Sequence, residues 1–347
     1  MDLLLWSLCF SICISSSFPC TSKEVLYKMQ HAPLTCILSP PLYATLSNTK
    51  TCHVQGIALH SLSSPVLLTC QSSNGARLLL YPNLTTSPFI SGYEHESFLP
   101  PSGNHPSSIQ MNRQNQVAIA IAQGYNKGPT RIDFYEIIAK EKLGMKISDS
   151  SVEHPEGHLG AVAYATFITT TWMIGCGWNC ETVAIWTKPK SILYETNNTT
   201  WTRQYYGKTV DLLITNSSID TKVGSYNALY LSQDCSSNTS LILYATHGWW
   251  MDVYRINTTT FQWTKLWKRS FGWRPSVNSL KPLFLEGVSL LFPPKNDSTI
   301  SLPTIVTAPH DYGPCGTSTT CTRGVHICSF SKVPESNILN YEKNNVI

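Results

Sequence analysis

The chain has 347 residues, of which 42% are hydrophobic and 11% aromatic but only 13% charged, against about 25% charged residues in an average globular protein. This composition excludes a chain that is mostly disordered. The formal net charge of +4 is spread without runs of like charge, which argues against binding to nucleic acid or to an anionic membrane surface.

The first segment predicts secretion. Residues 3–14 form an uninterrupted apolar run, and Ser15, Ser16 and Ser17 follow it, which is the pattern of a signal peptide over residues 1–17 with cleavage after Ser17. A membrane anchor is the alternative, but such a run spans about 18 Å as a helix, against a hydrocarbon core of about 30 Å. We therefore expect one extracellular, glycosylated domain over residues 18–347, secreted or carried on a virion surface.

The cysteines predict disulfides rather than a metal site. Ten remain after the predicted cleavage, an even number that suits five disulfides, and they are Cys20, Cys36, Cys52, Cys70, Cys176, Cys180, Cys235, Cys315, Cys321 and Cys328. The first four are close in sequence and are expected to pair largely among themselves. Cys176 and Cys180, in GCGWNC, lack the spacing and the second pair that a zinc site requires.

Sites for N-linked glycans support the same compartment. The N-x-[ST] motif occurs at Asn83, Asn197, Asn198, Asn216, Asn238, Asn257 and Asn296. Six of these seven asparagines follow residue 190. A binding surface is therefore expected on the barer N-terminal and central part of the chain.

Short runs rich in β-branched and aromatic residues predict an all-β fold. They cover residues 66–70, 77–81, 117–122, 131–137, 161–168, 172–174, 182–186, 241–245, 252–256, 261–266 and 288–292. Only residues 134–145 combine helix formers with a helical spacing, and their start reads equally well as the end of a strand.

Four segments share one pattern of two strands around a Gly- or Asn-containing turn. Their second strands begin near residues 77, 131, 182 and 252. A period of about 50 to 55 residues gives about six units, which predicts a disulfide-stabilised β-propeller of about six blades. The alternative is a β-sandwich assembly, which favours a steady spacing of about 8 to 12 residues between strands.

Two segments resemble known families. Residues 241–266, LILYATHGWWMDVYRINTTTFQWTKL, resemble a kelch-type blade. Residues 308–330 are similar in outline to paramyxovirus hemagglutinin-neuraminidase attachment proteins, and the matching positions are Pro314, Cys315, Cys321, Gly324 and Val325. This resemblance implies a viral propeller glycoprotein that engages a host-surface molecule. The N-R-K-S-C-S signature of those proteins is absent, so the resemblance implies no sialidase activity.

Catalytic motifs are few. A sialidase binds its substrate carboxylate with three arginines beside a Tyr nucleophile, but no motif selects three among Arg77, Arg113, Arg131, Arg203, Arg255, Arg269, Arg274 and Arg323. Tyr135 and Glu136 are adjacent on a predicted strand and should point to opposite faces. His154 and His158 flank Pro155 and Gly157, so a loop is expected there rather than a zinc site. No cofactor is expected.

Aromatic residues concentrate in one stretch and give the best indication of a binding site. They are Trp249, Trp250, Tyr254, Trp263, Trp267, Phe271 and Trp273. Such rings serve interfaces and carbohydrate sites, and the alternative is that they fill the core of a blade. His247, Trp249 and Trp250, in the turn-like THGWW, are the candidate binding residues.

The predicted function is that of a non-catalytic glycoprotein that binds a host cell-surface protein or glycan, without binding nucleic acid. A membrane-anchored partner glycoprotein is a further expected partner, which includes the case of a structural envelope component. The alternative is a glycan-acting enzyme of sialidase type, which requires three arginines near a Tyr at the central pocket of the propeller.

Overall fold

The computed structural model describes residues 20–38, 53–72, 75–81, 84, 93–95, 105–111, 116–122, 130–139, 143–166, 169–189, 200–214, 224–248, 250–271, 285–293, 302–309 and 325–331. The predicted signal peptide lies outside these residues. The chain enters the fold through a short strand, β1 (Cys20–Thr21), then helix α1 (Lys23–His31) and strand β2 (Leu34–Leu38).

The remaining described elements are two short 3-10 helices, Trp178–Cys180 and Thr209–Leu212, and nineteen strands, which complete five sheets. Their bounds in chain order are β3 (His53–Ala58), β4 (Val66–Ser72), β5 (Gly75–Tyr81), β6 (Tyr93–His95), β7 (His105–Met111), β8 (Gln116–Ala122), β9 (Thr130–Ala139), β10 (Leu143–His154), β11 (Leu159–Thr166), β12 (Thr170–Gly177), β13 (Thr182–Pro189), β14 (Thr202–Lys208), β15 (Ala228–Asp234), β16 (Ser240–His247), β17 (Trp250–Asn257), β18 (Trp263–Ser270), β19 (Leu285–Leu291), β20 (Thr304–Pro309) and β21 (His326–Phe330).

Each blade is a four-stranded antiparallel sheet, β1 pairs parallel with β15 at the edge of one of them, and together the sheets form a propeller. Blade 1 is β3 to β6, blade 2 is β7 to β10, blade 3 is β11 to β14, blade 4 is β15 to β18, and blade 5 is β19, β20, β21 and β2. The first strands of the blades contact one another in a closed ring, β3 to β7, β11, β15, β19 and back to β3. The predicted propeller is therefore confirmed.

The described residues contain five blades where the spacing of the repeats suggested about six. The reason is the length of connections such as residues 209–227 between blades 3 and 4. Dividing the chain by a period of about 50 residues counted such connections as part of a sixth unit. Residues 241–266, the kelch-like segment, form three consecutive strands of blade 4.

The N-terminal segment closes the ring. Strand β2 is the outer strand of blade 5 and pairs antiparallel with β21, and the Cys36–Cys328 disulfide links these two strands. A second disulfide, Cys20–Cys235, ties β1 to the end of β15. The prediction that the first four cysteines pair among themselves is wrong for Cys20 and Cys36, because closure of a propeller brings the start of the chain against its later blades.

The other predicted cysteines are only partly visible. Cys176 and Cys180 form a disulfide, as their sequence context predicted. Cys52, Cys315, Cys321 and the side chain of Cys70 lie outside the described residues.

Helix α1 was missed by the sequence analysis. Ser22 caps it by accepting a hydrogen bond from the Val25 N–H at 3.1 Å. Val25, Leu26 and Met29 lie on one side and pack with blades 4 and 5. Residues 134–145, the one candidate helix, instead hold the end of β9 and the start of β10.

Hydrogen bonds from Gln110 join three first strands across the propeller axis. Its Nε2 donates to the Leu231 carbonyl at 2.9 Å, and its Oε1 accepts from the N–H groups of Leu231 at 2.9 Å and Tyr164 at 3.2 Å. Ser108 bonds Val162 in the same way, with the Val162 N–H donating at 3.0 Å. These polar groups are buried, so the inner strands are locked by hydrogen bonds as well as by apolar packing.

Replacing Gln110 by Leu should destabilise the propeller by about 3 kcal/mol, because it leaves several buried backbone groups without partners. The free energy of unfolding from denaturant titration measures this. Gln204→Leu is the matched control, since the exposed Gln204 amide donates only to the Thr187 hydroxyl. Equal stability of the two variants would contradict the role of Gln110.

No helix within the described residues is long and apolar enough to cross a membrane. The disulfides are compatible with a secreted protein.

Candidate functional site

One end of the propeller carries the connections into the first strands of blades 3 and 4. We define the blade 3–4 face as residues 154–160, 176–182, 224–226, 247–248 and 250–252. These segments form one continuous surface: the Trp178 N–H donates to the His158 carbonyl at 3.0 Å, and the Ser225 hydroxyl donates to Asn179 Oδ1 at 2.7 Å.

Asp252 is the central polar group of this face. Its side chain is only 1% exposed, near the start of β17. The Tyr226 hydroxyl donates to Asp252 Oδ2 at 2.7 Å, His247 Nε2 lies 3.4 Å from the same oxygen, and Lys265 Nζ lies 3.3 Å from Oδ1. The carboxylate is therefore surrounded by a phenol, an imidazole and an ammonium group.

These neighbours keep Asp252 ionised. Burial on its own would raise the pKa of Asp252, but the interactions with His247, Tyr226 and Lys265 outweigh burial and hold this pKa below its ordinary value. Burial, with Tyr254 and Asp252 close by, raises the pKa of Tyr226 well above its ordinary value. At neutral pH the site thus combines a carboxylate with a protonated phenol.

A second tyrosine extends this network. The hydroxyls of Tyr226 and Tyr254 are 2.5 Å apart. Since the one hydroxyl proton of Tyr226 is used in the hydrogen bond to Asp252, the Tyr254 hydroxyl donates to the Tyr226 oxygen. Tyr254 and Trp263 also pack in the core between blades 3 and 4, so the network is anchored from below.

His247 is the part of this cluster that reaches solvent. Its side chain is 19% exposed, and its ring meets the Tyr226 ring edge to face at 5.5 Å. Gly224 makes room for the imidazole, because an added Cβ there would lie 2.8 Å from His247 Cγ and Cδ2. An imidazole beside an ionised carboxylate can accept and return a proton.

Exposed aromatic rings lie on or beside the same face. Among the described residues, the exposed large aromatic side chains are Trp178 at 47%, Tyr206 at 43% and Trp250 at 41%. Tyr206 meets the ring of His154 at 6.0 Å. Lys268 Nζ lies 5.0 Å from the centre of the Trp250 ring and covers one side of it.

His154 and His158 are placed in and after β10, with a loop between them, as predicted. His154 is fully buried, and its Nδ1 accepts from the Glu156 N–H at 3.1 Å. Desolvation by burial lowers the pKa of His154 to about 4. The Glu156 carboxylate accepts a hydrogen bond from the Thr182 hydroxyl.

The neutral state of His154 predicts acid sensitivity. Its folded pKa of about 4 lies below the unfolded value of 6.5, so the unfolded chain takes up the proton first as pH falls. Stability is then complete above pH 6.5 and declines between pH 6.5 and 4, by about 3 kcal/mol for this group. His326, whose pKa burial also lowers to about 4, acts in the same direction.

Replacing His154 by Gln should flatten this dependence, because the amide does not titrate while it still accepts from the Glu156 N–H. Denaturant unfolding at pH 7, 5.5 and 4.5 measures the effect, with the exposed His31→Gln as control. An unchanged slope in the His154 variant would contradict the assignment.

The structure brings some of the candidate residues together and not others. His247 and Trp250 lie on the blade 3–4 face, whereas Trp249 and Trp273 fall outside the described residues. Trp263, Trp267 and Phe271 fill the core, as the alternative interpretation of the aromatic stretch predicted. Tyr226, Asp252 and Trp178 were missed, and only the position of Trp178 between two cysteines could have indicated it.

The arginines described here do not form the three-membered cluster of a sialidase. Arg131 pairs with Asp133, Arg255 with Asp234, and Arg269 donates to the carbonyls of Met29 and Ala32. Arg203 lies 5.7 Å from the centre of the Tyr206 ring. The other predicted arginines have no described side chain.

Tyr135 and Glu136 behave as expected for neighbours on a strand, since Tyr135 is buried and Glu136 exposed. The described residues hold no group of three or more His, Cys, Asp or Glu side chains that could bind a metal ion.

Comparisons with known proteins describe the fold rather than a family. No protein-family model matches the chain, and no curated protein matches its sequence. The catalytic domain of a GH62 α-L-arabinofuranosidase from Coprinopsis cinerea is 9% identical, with 86% of this chain and 97% of that chain covered and a TM-score of 0.48. The Podospora anserina α-L-arabinofuranosidase in complex with cellotriose is 9% identical, with 87% of this chain and 97% of that chain covered and a TM-score of 0.48. A GH62 hydrolase in complex with xylotriose is 8% identical, with 88% of this chain and 100% of that chain covered and a TM-score of 0.49.

These similar structures are hydrolases, and they correct one prediction. The expected non-catalytic, receptor-binding glycoprotein is wrong, because the similar structures are hydrolases and none is a receptor-binding protein. The resemblance to viral attachment proteins is confirmed only as far as the propeller. Four of its five positions, Pro314 to Gly324, fall outside the described residues. Similarity at this level describes the fold alone, so the function has to be argued from the side chains of the site.

Proposed function

We propose that the chain is a glycan-acting hydrolase whose active site is the blade 3–4 face. One observation carries this proposal: the buried Asp252 carboxylate is kept ionised against the partly exposed imidazole of His247. Ionisable groups whose pKa values are shifted by burial and by charged neighbours mark a candidate for a chemical site.

Cleavage of a glycosidic bond by water needs a proton for the leaving oxygen and a group that takes a proton from the water. In the proposed reaction His247 takes a proton from the attacking water as the water oxygen bonds to the sugar carbon, and it returns that proton to the leaving oxygen as the glycosidic bond breaks. Asp252 holds the ring in position and stabilises its charged form. Glu156 is the second carboxylate of the face. Tyr226 keeps its proton and fixes the orientation of Asp252, so it is a positioning residue.

The surroundings suit a carbohydrate outside the cell. Exposed aromatic rings offer flat apolar surfaces for sugar rings, and the neighbouring hydroxyl and amide groups suit sugar hydroxyls. The predicted signal peptide and the disulfides support secretion. Asn238 and Asn257 are the glycosylation motifs within the described residues, and both lie at the end of blade 4 that is opposite to the blade 3–4 face. Glycans there would leave the site open.

The test is a turnover assay of the full chain, expressed through the secretory pathway. The substrates are 4-methylumbelliferyl glycosides of N-acetylneuraminic acid, α-L-arabinofuranose, β-galactose and N-acetyl-β-glucosamine, together with a released N-glycan pool analysed by mass spectrometry. The proposal expects saturable release from at least one substrate between pH 5 and 8. Failure to release any sugar across this panel would overturn it.

A further inference from the structure

The turn between β12 and β13 is held in an unfavourable backbone conformation. Asn179 and Cys180 have φ values of 59° and 54°, in the left-handed region that non-glycine residues rarely adopt. The Cys176–Cys180 disulfide closes this turn, and both cysteines are fully buried. Strain of this kind persists where the surrounding structure enforces it, and it concentrates at functional sites.

Side-chain bonds fix the turn on both sides. The Thr209 hydroxyl donates to the Cys180 carbonyl at 2.5 Å. On the other side, Asn179 Oδ1 accepts from the Ser225 hydroxyl at 2.7 Å. Ser225 is adjacent in sequence to Gly224 and Tyr226, which position His247 and Asp252. The turn is thus coupled to the cluster around Asp252 by a single hydrogen bond.

Trp178 is the residue that this turn presents. Its ring stacks on the His158 ring at 4.2 Å between centres with planes 26° apart, and the backbone N–H of Trp178 donates to the His158 carbonyl. The side chain remains 47% exposed. One side of the indole is therefore fixed against His158 while a large part of it faces solvent.

We propose that Trp178 is the platform on which one sugar ring of the substrate stacks, and that the Cys176–Cys180 disulfide is the device that positions it. This inference rests on the proposed glycan-acting function. A sugar ring has an apolar face that fits an indole and hydroxyls at its edge, and the polar groups beside Trp178 are the Asn179 amide, the Ser225 hydroxyl and the Glu156 carboxylate.

The first test compares Trp178→Ala, Trp178→Tyr and, as the control, Ile37→Ala in the full chain, because Ile37 is an exposed apolar side chain on the outer strand of blade 5, outside the blade 3–4 face. Binding is measured by tryptophan fluorescence titration with 3′-sialyllactose, xylotriose and lacto-N-tetraose, and kinetics with whichever substrate is turned over. Trp178→Ala should weaken binding and raise KM about 10-fold or more while kcat changes little, because stacking is lost before the reacting atoms are reached. Trp178→Tyr should recover most of the affinity, and Ile37→Ala should change it less than 3-fold.

Unchanged affinity in Trp178→Ala, or no binding of any of the three oligosaccharides by the wild type, would overturn the assignment. The two proposals fail separately. Binding that depends on Trp178 without turnover would support the stacking role of Trp178 and overturn the hydrolase. Turnover with an unchanged KM in Trp178→Ala would support the hydrolase and overturn the stacking role.

The double variant Cys176→Ser with Cys180→Ser tests the positioning device. It should reproduce the loss of affinity seen in Trp178→Ala while the protein stays folded, because the strained turn relaxes and moves the indole. Wild-type affinity in this variant would show that the disulfide does not position Trp178.

Discussion

Replacing Asp252 by Asn is expected to lower kcat/KM about 100-fold or more, the scale at which acid–base groups contribute to catalysis. The amide keeps the shape of the carboxylate but not its charge, so it cannot stabilise the protonated imidazole of His247. If the NH2 group of the new asparagine faces Tyr226, it donates a hydrogen bond where the carboxylate oxygen accepted one. The measurement is kcat/KM on the substrate found in the turnover assay, with the melting temperature recorded for the same sample.

The control for this variant is Asp234→Asn. Asp234 is equally buried and pairs with Arg255 at 2.9 Å, so the same change removes a buried charge at the other end of blade 4. Both variants should lose stability, because each leaves a cation without its partner. Only the Asp252 variant should lose activity beyond its loss of folded protein.

A milder variant guards against a failure to fold. His247→Gln leaves the buried Asp252–Lys265 pair intact and removes only the partly exposed ring. It should reduce kcat/KM to a similar extent with little change in melting temperature. An active, folded Asp252→Asn protein would remove Asp252 from the mechanism.

The propeller could be predicted from the sequence because each blade repeats a local pattern of apolar strands and Gly- or Asn-containing turns. Segments such as residues 241–266 state this pattern within a few dozen residues. Closure of the ring could not be predicted in the same way. It joins β2 to β21 across almost the whole chain, and no local periodicity records which strand completes the last blade.

Helix α1 shows a signal that was present and not used. Ser22 precedes a run in which Val25, Leu26 and Met29 recur at helical spacing, and a capping serine before such a run predicts a helix. The strong all-β pattern elsewhere outweighed nine residues near the start.

The candidate site was found only in part. His247 and Trp250 were identified because they stand in a short aromatic turn. Asp252 reads as one polar residue inside an otherwise apolar strand, and its partner Tyr226 is 26 positions away. Their proximity depends on how blade 4 pairs β16 with β17, and on the connection from blade 3, neither of which a single sequence specifies. For the same reason, the sequence GCGWNC indicated a disulfide, but it did not indicate that Trp178 between the two cysteines lies at the surface.

The largest stability effect is expected from the Cys36–Cys328 disulfide. Its cysteines are 292 positions apart, against 4 for Cys176–Cys180. Loop-closure entropy then predicts about 6 kcal/mol of stabilisation from the first bond and about 2 kcal/mol from the second. Without the long bond, β2 is held to β21 by backbone pairing and by the packing of side chains such as Leu34. An outer strand held in this way can separate and expose its neighbour's edge.

The double variant Cys36→Ser with Cys328→Ser should therefore melt about 10 °C lower than the wild type, with the Cys176→Ser and Cys180→Ser pair as the matched control. The two double variants should affect different properties of the protein. Loss of the long bond should lower the melting temperature while oligosaccharide affinity, measured well below it, stays at the wild-type value. Loss of the short bond should lower affinity with a small change in melting temperature. A wild-type melting temperature after removal of Cys36–Cys328 would mean that packing of β2 and α1 between blades 4 and 5 is sufficient to close the ring.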